Sequence, residues 1–185
     1  MYLCSEPSGG QMIEKLALKE ILARMVAHKA EQSPPVDRRA VTADAAILIV
    51  VDSRTVVRAL QLILERVGYV TFFASDGAQA IALAKSHRPD LVLMDVVMPV
   101  MNGFEATRAL VNDPQTAAIP VIMMSGAERV SDQIWGTRLG AKAFLAKPFN
   151  TQELLGKIRS VIAVARRTRE YEQTAAPAGV DVFRR

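Results

Sequence analysis

From residue 46 to residue 165 the chain repeats one rhythm: a short, unbroken apolar run, then a longer stretch with apolar residues three and four apart. ILIVV (47–51) is followed by Leu60, Ile63, Leu64 and Val67 at helical spacing. Runs of this kind belong to strands buried on both faces, and strict βα alternation makes neighbouring strands parallel. The spacing predicts strands over 47–51, 70–74, 90–95, 121–124 and 143–146, and helices over 54–67, 77–86, 104–112, 127–139 and 151–165. Gly68 and Gly140 stop two of the helices; Asp76 with Gln79, Asn102 with Glu105 and Asn150 with Glu153 read as capping boxes that start three others. The expected fold class is α/β, a doubly wound five-stranded parallel sheet.

Outside this core the pattern changes. Residues 11–32 suit a helix, with Leu18, Ile21, Leu22 and Met25 on one face and Glu20, Arg24 and Glu31 on the other. SPPVDRRAVTADAA (33–46) reads as a linker, because its two prolines remove donors and fix φ. The expected organisation is an N-terminal extension over 1–45, a core domain over 46–165 and a basic tail over 166–185. The apolar stripe of the extension suits packing on the core or self-association. A helix that short is marginal alone.

Composition removes several function classes. Half of the residues are apolar, enough for a proper core. The net charge of +4 is mild: residues 1–45 balance, and residues 165–185 hold five basic side chains against three acidic ones. No nucleic-acid groove is expected in the core. Cys4 is the only cysteine, which excludes a disulfide framework and a cysteine metal cluster. No apolar run approaches the roughly 20 residues of a membrane span. Glu14, Lys15, Lys19 and Glu20 interrupt any signal-peptide pattern. A cytoplasmic protein without membrane contact is expected.

In open parallel sheets, ligands bind beyond the carboxyl ends of the strands. There the sequence places Asp52 after strand one, Asp95 at the end of strand three, Ser125 after strand four and Lys147 after strand five. Two facing carboxylates repel unless a cation lies between them. Oxygen ligands on an open rim suit a hard ion such as Mg²⁺. A lysine and a hydroxyl beside that ion make a phosphoryl site. With no histidine or cysteine base there, the expected nucleophile is a carboxylate.

LVLMDVVMPVMNG (91–103) resembles the phosphoacceptor segment of the receiver domain of bacterial two-component response regulators, and PVIMMSG (120–126) and AFLAKPF (143–149) resemble its two later motifs. The resemblance covers about residues 46–164 and implies a flavodoxin-like (βα)5 fold. It implies that Asp95 accepts a phosphoryl group from a sensor histidine kinase or phosphotransfer protein. Asp52, Asp95 and the carbonyl of Val97 would bind Mg²⁺. Lys147 would pair with the phosphoryl group and Ser125 would hydrogen-bond to it. Phe144 would swing inward as Ser125 moves, and the Lys147–Pro148 bond would be cis. DQIWGTRLGAKAFLAKP (132–148) is more closely similar to small regulators of chemotaxis-like systems that control type IV pili and twitching motility, through Trp135, Gly136, Arg138 and Gly140.

One position departs from the family. Receivers usually end strand one on two adjacent acids; here Val51 stands in place of the first and Asp52 alone remains. The expected result is weaker Mg²⁺ binding and slower phosphorylation at a site that still works. With only a short tail after the last helix, output is expected through protein binding, at the face of the helix over 127–139, the fifth strand and the last helix.

Plainer readings exist for each residue. Asp52 could cap a helix, Ser125 start one, Lys147 be a surface charge and Phe144 be core. Rival functions are a degenerate receiver that binds partners without phosphorylation, a phosphatase of the haloacid dehalogenase type and a transcription factor. The phosphatase needs a second aspartate two residues after its nucleophile, where this chain has Val97 or Arg54. The transcription factor needs a basic recognition helix, for which the tail is too short.

Overall fold

The computed structural model describes residues 45–126 and 136–174. Five strands, β1 (Ala46–Val50), β2 (Val70–Ala74), β3 (Leu91–Asp95), β4 (Val121–Ser125) and β5 (Ala143–Ala146), form one sheet in the order β2-β1-β3-β4-β5. All four pairings are parallel. The helices are α1 (Arg54–Arg66), α2 (Gly77–His87), α3 (Gly103–Asn112) and α4 (Thr151–Thr174). Residues 136–138 are also helical, within the helix expected over 127–139. Residues 127–135 of that helix, including Trp135, the expected helix over 11–32, most of its linker and the tail beyond Thr174 lie outside the described residues. Among the described residues, no helix is long and apolar enough to cross a membrane.

Strand alternation splits the core into two layers. Ile47 and Ile49 face one side with Leu93, Ile122 and Leu145, beneath Leu60 and Leu64 of α1 and Leu154 and Ile158 of α4. Leu48 and Val50 face the other with Val92, Met94 and Met123, beneath Ala80 and Ala84 of α2 and Leu110 of α3. Each large side chain buried this way contributes about 1.5–3 kcal/mol relative to solvent exposure. Because both faces are covered, the strands read as continuous apolar runs.

Helix ends follow the capping residues. Glu105 donates its N–H to Asn102 Oδ1 at 2.9 Å, and Asn102 donates its own to Glu105 Oε2 at 3.2 Å. Asp76 caps α2 by accepting from Gln79 N–H at 2.9 Å, but Gln79 Oε1 accepts from Ser75 N–H, one residue before the cap. Gly68 (φ 94°) and Gly140 (φ 96°) end their helices in the left-handed region.

The last helix runs to Thr174 instead of stopping at Ala165. Two arginines of the stretch expected as a basic tail, Arg166 and Arg169, fasten it to the base of the sheet. Arg166 and Arg169 lie 4.0 and 3.8 Å from Asp90 Oδ1, and Arg169 also donates to the carbonyl of Ala118 at 3.1 Å. No glycine or proline interrupts the chain between Ala165 and Thr174.

Candidate functional site

Register brings the strand-end residues together. Asp95 pairs with Met124, and Ser125 pairs with Ala146, so Asp95, Ser125 and Lys147 follow one another across β3, β4 and β5. The turns are stitched by backbone. Val96 N–H donates to Met124 O at 2.9 Å, and Lys147 N–H donates to Ser125 O at 2.7 Å. The Lys147–Pro148 bond is cis.

Asp95 is 6% exposed, and Lys147 Nζ lies 2.5 Å from its Oδ2. Burial raises the proton affinity of this carboxyl above the usual range; the Lys147 ammonium and the N–H of Val97 oppose that, and the charge of Asp52 adds to it. Asp52 itself is exposed at the mouth, beside Asp95 in charge although far from it in sequence. Ser125 is buried at the end of β4. Phe144 is half-buried against the α2–α3 layer. The structure therefore assembles Asp52, Asp95, Ser125 and Lys147 at one end of the sheet.

Val51 lies apart from them. It continues the phase of Ile47 and Ile49, is 1% exposed and belongs to the apolar layer under α1 and α4. Its N–H donates to Ala74 O at 3.1 Å.

The carboxylates of Asp52 and Asp95 at this end of the sheet are oxygen donors that could hold a cation. Lys147 pairs with Asp95 alone while the charge of Asp52 also acts on Asp95, so the charge balance suits a hard divalent ion. No cluster of three or more acidic, histidine or cysteine side chains stands among the described residues. Protein carboxylates alone therefore do not complete a coordination sphere.

Two backbone features that follow β3 were not evident from the sequence. Gly103, first in α3, sits directly on the backbone of Asp95: a Cβ there would overlap the Asp95 carbonyl oxygen and lie 2.9 Å from its carbon. Val100 adopts φ 66°. Left-handed backbone costs a β-branched residue about 1–2 kcal/mol. Val100→Asn, which tolerates that region, is expected to raise the unfolding free energy by about 1 kcal/mol; an unchanged denaturation midpoint would show that the loop carries no strain. His87 packs its ring against that of Phe72, with the centroids 4.5 Å apart.

This fold and this end-of-sheet arrangement match a known class. The response regulator receiver domain matches residues 47–159, and the chain belongs to that family. Receivers are signalling domains of two-component systems; they take phosphoryl groups from histidine kinases and bind Mg²⁺ at an acidic pocket. Within the family, the chain is 45% identical to protein PilH of Pseudomonas aeruginosa over 119 residues, 64% of this chain and 98% of that protein. It is 34% identical to the alkaline phosphatase synthesis transcriptional regulatory protein PhoP of Bacillus subtilis, spanning 48% of that longer protein. Among solved structures, chemotaxis response regulator CheY4 of Vibrio cholerae superposes with a TM-score of 0.60 at 34% identity, over 63% of this chain and 98% of that one.

Proposed function

We propose that this chain is a phosphorelay response regulator that accepts a phosphoryl group on Asp95 from a sensor histidine kinase or phosphotransfer protein. The observation that carries the reading is the Lys147–Asp95 contact at the buried end of β3. Lys147 favours the ionised, nucleophilic form of a carboxyl whose burial favours the protonated one. A carboxylate oxygen of Asp95 attacks phosphorus, the P–N bond to the donor imidazole breaks, and its electron pair stays on that nitrogen. An acyl phosphate results. Lys147 pairs with the new phosphoryl oxygens, and Ser125 donates its hydroxyl to one of them. Asp52, Asp95 and the Val97 carbonyl would hold a divalent cation, which would supply the remaining positive charge. Hydrolysis by water restores Asp95 without another enzyme.

Phosphorylation then shifts a two-state equilibrium felt through Ser125 and Phe144 at the face of the helix expected over 127–139, β5 and α4, where a downstream protein binds. The segment 132–148 and the similarity to PilH along nearly its whole length support a role in type IV pilus or twitching regulation in the cytoplasm. The extension over 1–45 serves docking or self-association. A receiver working without phosphorylation is disfavoured by the intact Asp95–Lys147 pair.

Incubation with acetyl phosphate and Mg²⁺, followed by a phosphate-affinity gel, tests the reading. A shifted band that disappears in Asp95→Ala is expected; no shift, or one that survives the substitution, removes the phosphorylation claim.

Val51 bears on the metal. An acid in its place would add a negative charge to the ion's surroundings, so the native chain is expected to bind Mg²⁺ more weakly than Val51→Asp by about tenfold, roughly 1.4 kcal/mol. Calorimetric titration of both proteins decides this, and equal affinities refute it. The same substitution removes a valine from the apolar layer, so Val51→Asp is also expected to be less stable by about 2 kcal/mol.

A further inference from the structure

A second cluster of charged side chains stands at the base of the sheet, at the opposite end from Asp95. Tyr69, just before β2, is buried there, and Arg159 of α4 donates a hydrogen bond to its hydroxyl. Arg166, about two turns further along α4, also acts on that hydroxyl through its charge. It lies 4.0 Å from Asp90 Oδ1, and Arg169 lies 3.8 Å from the same atom. Three guanidiniums thus surround one carboxylate.

Asp90 does not satisfy them. Its Oδ2 accepts from Ala46 N–H at 3.0 Å, and its Oδ1 is beyond hydrogen-bond distance of both Arg166 and Arg169. Arg159 Nε is buried and has no hydrogen-bond partner among the described residues. A buried donor without an acceptor is uncommon and is one mark of a bound ion. The helix dipole does not account for these arginines either. Its effect is confined to the last turn, and the last turn of α4 holds no basic residue.

Three guanidiniums less one carboxylate leave a surplus of two positive charges. That surplus matches a phosphate group, whose oxygens accept paired guanidinium N–H donors. The Tyr69 hydroxyl can donate as well as accept. The side chains of Arg166 and Arg169 are 36% exposed and that of Asp90 26%, so the cluster is open to a small ion but recessed from a flat surface.

We propose that Arg159, Arg166 and Arg169, with the Tyr69 hydroxyl, form an anion site at the base of the sheet for a phosphate-bearing small molecule. The site does not depend on the chemistry at Asp95. A ligand bridging these arginines also fastens the turns of α4 beyond Ala165 more firmly.

The test titrates pyrophosphate into the full chain by calorimetry in the absence of Mg²⁺. A dissociation constant of about 1 mM or below is expected. Arg159→Gln and Arg166→Gln should each weaken binding about tenfold. Arg166→Lys keeps the charge but loses the planar fork, and should weaken it about threefold. Asp90→Asn can still accept from Ala46 N–H while its competing charge is gone, so it should bind about threefold more tightly. No misfolded variant imitates that gain. Lys147→Gln should bind as the wild type does, and pyrophosphate should slow hydrogen exchange of the amides over 166–174. The proposal is overturned if the wild type shows no binding at about 10 mM. It is overturned too if the arginine variants bind unchanged, if Asp90→Asn binds no more tightly or if exchange over 166–174 is unaffected. Loss of binding in Lys147→Gln would overturn it by placing the anion at the Asp95 end. Cosedimentation with phosphatidylglycerol vesicles without binding of pyrophosphate would overturn it by assigning the arginines to a membrane surface.

Discussion

Lys147→Ala should lower the rate of Asp95 phosphorylation by phosphoramidate about 100-fold or more, the usual loss when one donor to a developing anion is removed. Two effects act together. The ammonium 2.5 Å from Asp95 Oδ2 is the cation best placed to meet the incoming phosphoryl oxygens. It also opposes the burial that raises the proton affinity of Asp95. Without it that affinity rises further, so a smaller fraction of Asp95 is ionised at any given pH. The rate–pH curve of Lys147→Ala should therefore be displaced to higher pH as well as lowered. Stability carries the same sign. A carboxyl whose proton affinity is higher in the folded chain contributes stability at low pH, and that stability is lost as pH rises from about 4 through its folded value. In Lys147→Ala the loss should continue to higher pH. Thermal melts between about pH 4 and 8 should thus diverge from the wild type toward the alkaline end. A rate within threefold of the wild type, or an undisplaced curve, would show that Lys147 neither ionises Asp95 nor binds the phosphoryl group.

Legibility in the sequence followed the range of the interaction. The strands were readable because residues such as Ile47 and Leu48 are buried on opposite faces, and burial on both faces leaves a continuous apolar run. Asn102 and Glu105 announced a helix start because both halves of that cap lie within four residues. Asp52, Asp95, Ser125 and Lys147 could be set on one rim by topology alone, since parallel strands bring their carboxyl ends to one edge. What escaped depends on contacts far apart in the chain or on backbone angle. The helix end at Ala165 was misplaced because Asp90 and Ala118 hold Arg169, and neither is near it in sequence. Val100 gives no sign of its φ, because valine is among the residues least suited to that region. Val51 was legible as a missing acid and as the end of the buried apolar run 47–51, but not the layer it enters, beneath α1 and α4.

Gly103→Ala is expected to cost about 3 kcal/mol or more of stability, a large effect for a single methyl group. In a helix, alanine ordinarily replaces glycine with a gain, because glycine loses more conformational freedom on folding. Position 103 reverses the sign. The added Cβ would overlap the carbonyl oxygen of Asp95 and lie 2.9 Å from the Asp95 carbonyl carbon and 3.0 Å from Val96 Cα. All three obstacles are backbone, and none can rotate aside. Relief requires α3 to move away from β3, which breaks the Gly103 N–H bond to Val96 O and disturbs the Asn102 cap. Because the displaced backbone carries Asp95, phosphorylation should fall together with stability. Gly156 supplies the control within the same chain. It lies inside α4, and a Cβ there meets nothing within 4 Å. Gly156→Ala should therefore stabilise by about 0.5–1 kcal/mol. Urea denaturation of both variants measures the contrast. If Gly103→Ala unfolds at the wild-type midpoint, the close seating of α3 on the Asp95 backbone is not what fixes Asp95 in place.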